Sequence, residues 1–104
     1  MHDSSEALFS ALADPVRREI LNVLSEGPAN VTSLAGAFPI SRPAISRHLR
    51  RLKNAGLVEL RSANRKDVYQ LCPEALVPLD QWLARYRRFW SRRLAELADR
   101  FEGA

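Results

Sequence analysis

Apolar residues recur at helical spacing in five stretches of the chain and alternate with polar ones in one short region. Leu8, Phe9 and Leu12 mark a first helix over about Ser5 to Ala13. Asp14 offers an N-cap and Pro15 a first-turn residue for a second, with Val16, Ile20, Leu21 and Leu24 on one face and Gly27 and Pro28 as its stop. Asn30 caps a short third helix whose inner face is Val31, Leu34, Ala35 and Phe38. After a tight turn at Pro39 and Ile40, Ser41 caps a fourth helix with Arg42 and Pro43 in its first turn, and Gly56 ends it.

The period then changes. Val58 and Leu60 alternate with polar neighbours, and Val68 and Leu71 do so less cleanly, which predicts a hairpin: Leu57 to Arg61, a polar turn Ser62 to Lys66, then Asp67 to Cys72. Pro73 breaks the second strand, and one long helix covers about Glu74 to Glu102. The fold class is mainly α with a small β-hairpin. Two short helices joined by a tight turn and followed at once by a basic hairpin make a winged helix-turn-helix of five helices and a two-stranded wing.

Length fits this. At 104 residues and 46% hydrophobic, the chain is expected to form a single domain, 1–104, with a modest core. No apolar run approaches a membrane span, and MHDSSEALF lacks the layout of a signal peptide, so a cytoplasmic protein is expected. His2, Asp3 and Glu6 are expected to be a solvated start rather than metal ligands.

Charge adds a location. The net charge is +4, but eight of the 16 Lys and Arg residues fall between Ser41 and Lys66, against Glu59 alone of the 12 acids. A positive field confined to the fourth helix and the wing is the footprint of nucleic-acid binding. On a helical wheel Ile45, Leu49 and Leu52 share the docking face, with Ala44 and His48 beside it. Arg42, Pro43, Ser46 and Arg47 lie near the N-terminal end, which in helix-turn-helix proteins reaches base edges in the major groove of double-stranded DNA. Arg42 and Arg47 can each offer two donors to guanine, Ser46 can bond to several bases, and Pro43 makes apolar contact only. Ser41, Arg50, Arg51 and Lys53, with Arg61, Arg65 and Lys66 of the wing, are the expected phosphate-facing set. His48 is expected to be a packing or hydrogen-bonding residue.

The last helix carries more apolar surface than its own core needs. Leu79, Trp82, Leu83, Tyr86, Phe89, Trp90, Leu94 and Leu97 form a wide stripe that continues to Phe101. Burial against a second copy is the economical explanation, and a two-fold dimer suits a palindromic DNA site. A small-ligand pocket lined by the same aromatics is the alternative.

These residues resemble the bacterial arsenic-repressor (ArsR) family of winged-helix transcriptional regulators. The resemblance runs from about Phe9 to Arg93 and is carried by ALADPVRREIL, by SLAGAFPISRPAISRHLRRLKNAGLVELR and by the wing ending VYQL. It implies a homodimer in which the first and last helices of two chains pack together, which adds Leu8, Phe9 and Leu12 to the interface. It also implies repression, including autorepression, through an imperfect inverted repeat in a promoter, and the same four base-facing positions. Where the family senses metal, one site takes two cysteines from the third helix; here that helix reads VTSLAGAF. A second site uses histidine with carboxylates in the last helix, which here has no histidine. Soft and borderline ions need thiolate or imidazole, so no metal and no cofactor are expected at these sites, and any small-molecule or protein effector is unknown.

Two further functions are weighed. Cys72, the single cysteine, would make the protein a thiol sensor, but no basic neighbour in sequence activates it. A winged helix that binds protein or RNA is the other. Catalysis is not expected: no nucleophile, base and orienting group assemble, and there is no glycine-rich phosphate loop.

Overall fold

Capping fixes where each helix begins. The computed structural model describes residues 4–102, excluding the side chains of Ser4 and Ala63; His2 and Asp3 lie outside the described residues. Helix α1 is Ser4–Leu12 and α2 is Pro15–Ser25. At the start of α2 the Asp14 carboxylate accepts from the backbone N–H groups of Val16 and Arg17, at 2.8 and 3.1 Å. Helices α3, Val31–Ala37, and α4, Arg42–Asn54, open on Asn30 and Ser41 in the same way. Helix α4 closes on Gly56, whose φ of +78° is left-handed. Gly56 N–H donates to Lys53 and Leu57 N–H to Leu52, and both leucines are fully buried beneath that turn.

The core lies where α1, α2, α3, α4 and the base of the wing meet. Leu8, Ile20, Leu24, Leu34, Ile45, Leu49, Leu52, Leu57 and Val58 are its buried residues, with Ala11 and Leu21. Leu8, expected at a dimer interface, is only 1% exposed within its own chain and has no surface left to offer. Leu12 and Leu79 also pack against this core, half-buried, because α1 and the start of the last helix close over it.

Strand β1, Val58–Ala63, pairs antiparallel with β2, Lys66–Leu71, in the register Val58 to Leu71 through Ala63 to Lys66. The hairpin is tighter than the five-residue turn the sequence predicts. Asn64 and Arg65 alone make the turn, with φ of 52° and 65°, the paired left-handed geometry that matches the twist of a two-residue hairpin. Leu60, which alternates with polar neighbours as Val58 does, is exposed because the wing projects beyond the core after Val58. A further antiparallel bridge joins Ala29 to Tyr69 through reciprocal bonds of 3.1 and 2.8 Å. The loop between α2 and α3 therefore anchors the base of the wing.

A 3-10 turn, Pro73–Leu76, leads into α5, Val77–Glu102, so the long helix starts three residues later than the sequence predicts. No residue of α5 is fully buried. The chain measures 60 × 37 × 25 Å with a radius of gyration of 18.0 Å, against about 13 Å for a compact domain of this size. Helix α5 accounts for the excess: it leaves the core and carries exposed Phe89, Trp90, Leu94, Leu97 and Phe101 with it. No helix among the described residues is long and apolar enough to cross a membrane.

Candidate nucleic-acid interface

Complete burial of Ile45, Leu49 and Leu52 decides which edge of α4 faces solvent. Arg42, Pro43, Arg47 and Arg50 are exposed and Ser46 is half-buried. Ser41 is exposed too, its hydroxyl oxygen accepting from the Ala44 N–H at 3.2 Å, so its first role is to cap the helix that carries the arginines. Acids are absent from α4, and its last turn holds Arg51 and Lys53.

One open groove joins this edge to the wing. It is lined by Arg42 from α4, Lys66 and Asp67 from the start of β2, and Asn30, Val31 and Thr32 at the start of α3. Cations far apart in sequence therefore converge on one concave surface. Thr32, which the sequence reading does not single out, lines the same groove; its position, two residues after the Asn30 cap on the first helix of the motif, is the available signal. Arg65 stands at the wing tip and is exposed. Arg61 is exposed but engaged: it donates to Gln70 across the hairpin at 3.1 Å and lies 3.9 Å from Glu59, which offsets part of its charge.

Arg51 goes elsewhere. It lines a shallow notch with Asn54, Ala55 and the α1 residues Ala7, Ser10 and Ala11, on the flank of α4 that faces the first helix. Arg51 does not line the groove shared by Arg42 and Lys66, although it stands one turn from Arg47 on α4.

His48 is half-buried on that same α1-facing flank. Its Nδ1 is 3.4 Å from a terminal nitrogen of Arg17. Arg17 also donates to the carbonyls of Ala11, at 2.7 Å, and Ser10, at 3.1 Å, and approaches the Asp14 carboxylate at 4.0 Å. Partial burial pushes the Asp14 carboxyl up, but the N–H donors of Arg17 and Val16, with the electrostatic influence of the nearby His48 and Arg17 side chains, outweigh it and hold it below its ordinary value.

A second surface lies at the junction of α1 and α5. Phe9 packs edge-on against Trp82 with ring centroids 5.7 Å apart, and Trp82 lies 5.1 Å from Tyr86. All three are partly exposed, Leu83 is half-buried, and Phe89, Trp90 and Leu94 are more than half exposed. The aromatics form a continuous face rather than a closed cavity. Beside it, Arg87 pairs with Asp80.

Cys72 follows β2 directly, half-buried, with its N–H bonded to the Leu57 carbonyl at 2.8 Å. Burial pushes its thiol up, and Glu59 and Glu74 push it the same way, so the thiolate that oxidation chemistry needs is disfavoured.

Residues 14–59, from the α2 cap to the second residue of β1, match the family described as bacterial regulatory protein, arsR family. Over 95 residues the chain is 45% identical to the HTH-type transcriptional regulator Rv2034 of Mycobacterium tuberculosis, which spans 91% of this chain and 86% of that protein. It is 33% identical over 79 residues to the transcriptional repressor SdpR of Bacillus subtilis, spanning 76% of this chain and 88% of the repressor. Among solved structures, the homodimeric winged helix-turn-helix DNA-binding domain of Mb0332 from Mycobacterium bovis, a possible ArsR-family transcriptional regulator, matches with a TM-score of 0.66 at 32% identity over 82% of each chain.

Proposed function

The chain belongs to the arsR family of bacterial regulatory proteins, and from that premise we propose that it is a homodimeric, sequence-specific DNA-binding repressor acting on an inverted repeat in a promoter. One observation carries this reading: α4 buries Ile45, Leu49 and Leu52 completely while presenting an acid-free arginine edge beside the wing cations. Arg42 and Arg47 read guanine edges with Ser46 and Pro43 beside them, whereas Arg50, Lys53, Arg65 and Lys66 hold phosphates. Arg61 takes a smaller share because Gln70 and Glu59 already engage it, and Arg51 acts from the edge of the footprint at most.

Two recognition helices must be held together to read a repeat. The exposed face of α5, with Phe9 of α1, provides that junction with a second copy. At roughly 25 cal/mol per Å², covering even part of it stabilises a dimer by several kcal/mol. Occupying a promoter as a dimer blocks transcription, and control of its own promoter is the simplest circuit of this kind. Such a partner places the protein in the cytoplasm.

The signal is not a metal held at the family's usual positions. The exposed third-helix side chains Thr32 and Ser33 present hydroxyls, which are poor ligands for soft and borderline ions. The raised thiol of Cys72 likewise favours an inert residue over a redox trigger.

Selection of bound fragments from the source genome, followed by titration of the selected duplex at several salt concentrations, tests the reading. The expected result is one imperfect palindrome with log K falling steeply and linearly with log salt. No preferred duplex, or binding insensitive to salt, overturns it in favour of a protein-interaction module; preference for single-stranded RNA overturns it in favour of an RNA-binding one.

A further inference from the structure

Apolar packing holds α4 against the domain but does not by itself fix its rotation about its own axis. The close-packed leucine and isoleucine contacts beneath it restrict that rotation but, being non-directional, define its angle less sharply than a hydrogen bond does. A small roll is large at the other side of the helix: about 10° moves a tip about 6 Å from the axis by about 1 Å. Two parallel hydrogen bonds from an arginine to a guanine edge do not tolerate that displacement well. A directional contact on the inner flank of α4 can therefore sharpen its register with DNA.

Such a contact is present. His48 is the neighbour of Arg47 and lies on the flank facing α1 and α2, where its Nδ1 meets Arg17 at 3.4 Å. A guanidinium has donors only, so Nδ1 must supply the lone pair. Arg17 is fixed at its other end: its Nε donates to the Ala11 carbonyl and a terminal nitrogen to that of Ser10, both in the last turns of α1, with Asp14 beside it. Its side chain is 13% exposed, and its contacts with the Ala11 carbonyl and His48 are partly buried, which limits competition from water there, while the bond to Ser10 is exposed. Phe9, the residue before Ser10 in α1, packs on Trp82 of α5. Contacts thus run without a gap from the α5 aromatic face through α1 and Arg17 to His48 and the reading edge.

We propose that Arg17 and His48 are a positioning pair that sets the roll of α4 relative to the α1–α5 face, so that Arg47 meets a base rather than a phosphate. The pair touches no DNA itself. It rests on the reading of α4 as the base-contacting helix, and it adds the device by which the dimer face fixes how that helix is presented.

The test uses the full chain, the palindrome selected from the genome and a scrambled duplex of equal length. His48→Leu keeps the volume and removes the acceptor; His48→Gln keeps an acceptor oxygen. The expected result is that His48→Leu lowers the ratio of palindrome to scrambled affinity about tenfold, with thermal midpoint and dimer retained, while His48→Gln restores most of the ratio. In an Arg17→Lys background, His48→Leu is expected to add little, because the contact is already lost. A wild-type ratio in His48→Leu, an equal loss of affinity for both duplexes, equal impairment in His48→Gln, or full additivity with Arg17→Lys overturns the pair alone. A wild-type protein that prefers no duplex overturns the DNA-reading role and the pair with it.

Discussion

Phe9 of α1 stands edge-on to Trp82 of α5, ring centroids 5.7 Å apart and planes at 72°. This contact starts an aromatic face that continues to Tyr86 and then, without any covering element, to Phe89, Trp90 and Leu94. Leu94 is 64% exposed and outside the domain core, so Leu94→Glu is expected to leave helicity and thermal unfolding of the single chain intact. In the dimer the same carboxylate would be buried without a partner, which is costly. Sedimentation at micromolar concentration should show dimer converted to monomer, with palindrome affinity reduced by about tenfold or more as the two half-sites lose their linkage. A variant that stays dimeric places the interface elsewhere.

Arg47 and Lys66 are expected to fail differently. Arg47→Ala should cost about 1 to 3 kcal/mol on the palindrome and much less on scrambled DNA. Lys66→Ala should weaken both alike and reduce the slope of log K against log salt by about 1 per subunit. Titrating the two variants against both duplexes at several salt concentrations separates these outcomes, and equal losses would contradict the division into base and phosphate roles.

Asp14 links helix capping to acid stability. Its carboxylate satisfies two N–H groups at the start of α2, so Asp14→Ala should lower unfolding free energy by about 1 kcal/mol at neutral pH. The folded-state value is depressed, so this contribution is fully present above the ordinary Asp value near 3.8 and is lost as pH falls through the lowered one. Denaturant melts from pH 6 down to pH 2 should therefore show wild type and variant converging in acid. A gap that persists at pH 2 would mean that the carboxylate charge is not what caps the helix.

Cys72 should be a bystander. With its thiol pushed up by burial and by Glu59 and Glu74, it holds little thiolate at neutral pH. Cys72→Ser is expected to bind the palindrome as wild type does, and peroxide is expected to change neither. Loss of binding on oxidation in wild type alone would make the protein a thiol switch.

Some of this architecture is legible in the chain and some is not, for physical reasons. The buried side of α4 follows from the spacing of Ile45, Leu49 and Leu52, and its start from Ser41 and Pro43, because these signals are local. The bond between Ala29 and Tyr69 is invisible in sequence, since it joins a loop to a strand forty residues away. Periodicity groups Leu8 with Phe9 and Leu12, yet Leu8 fills its own core while Phe9 stays partly exposed. Spacing marks a face as apolar without saying whose chain covers it. Arg17 reads as a charged helix residue, and only the fold shows it beside His48 and the end of α1.

The wing turn gives a prediction in which stability and function move in opposite directions. Arg65 adopts φ of 65° without being glycine, a conformation that costs a side-chain-bearing residue roughly 1 kcal/mol. Asn64 beside it tolerates the left-handed region well, and Asn-Gly is the favoured sequence for a two-residue turn of this kind. Arg65→Gly should therefore tighten the hairpin and raise the thermal midpoint by a few degrees, partly offset by the extra freedom glycine brings to the unfolded chain. The same change removes a cation from the wing tip. Affinity for the palindrome and for scrambled DNA should fall together, with the salt slope smaller by about 1 per subunit. Glycine at this position would relieve the backbone cost. An arginine retained at conformational cost is explained if its charge is used on DNA, and a variant that gains stability without losing affinity would remove that explanation.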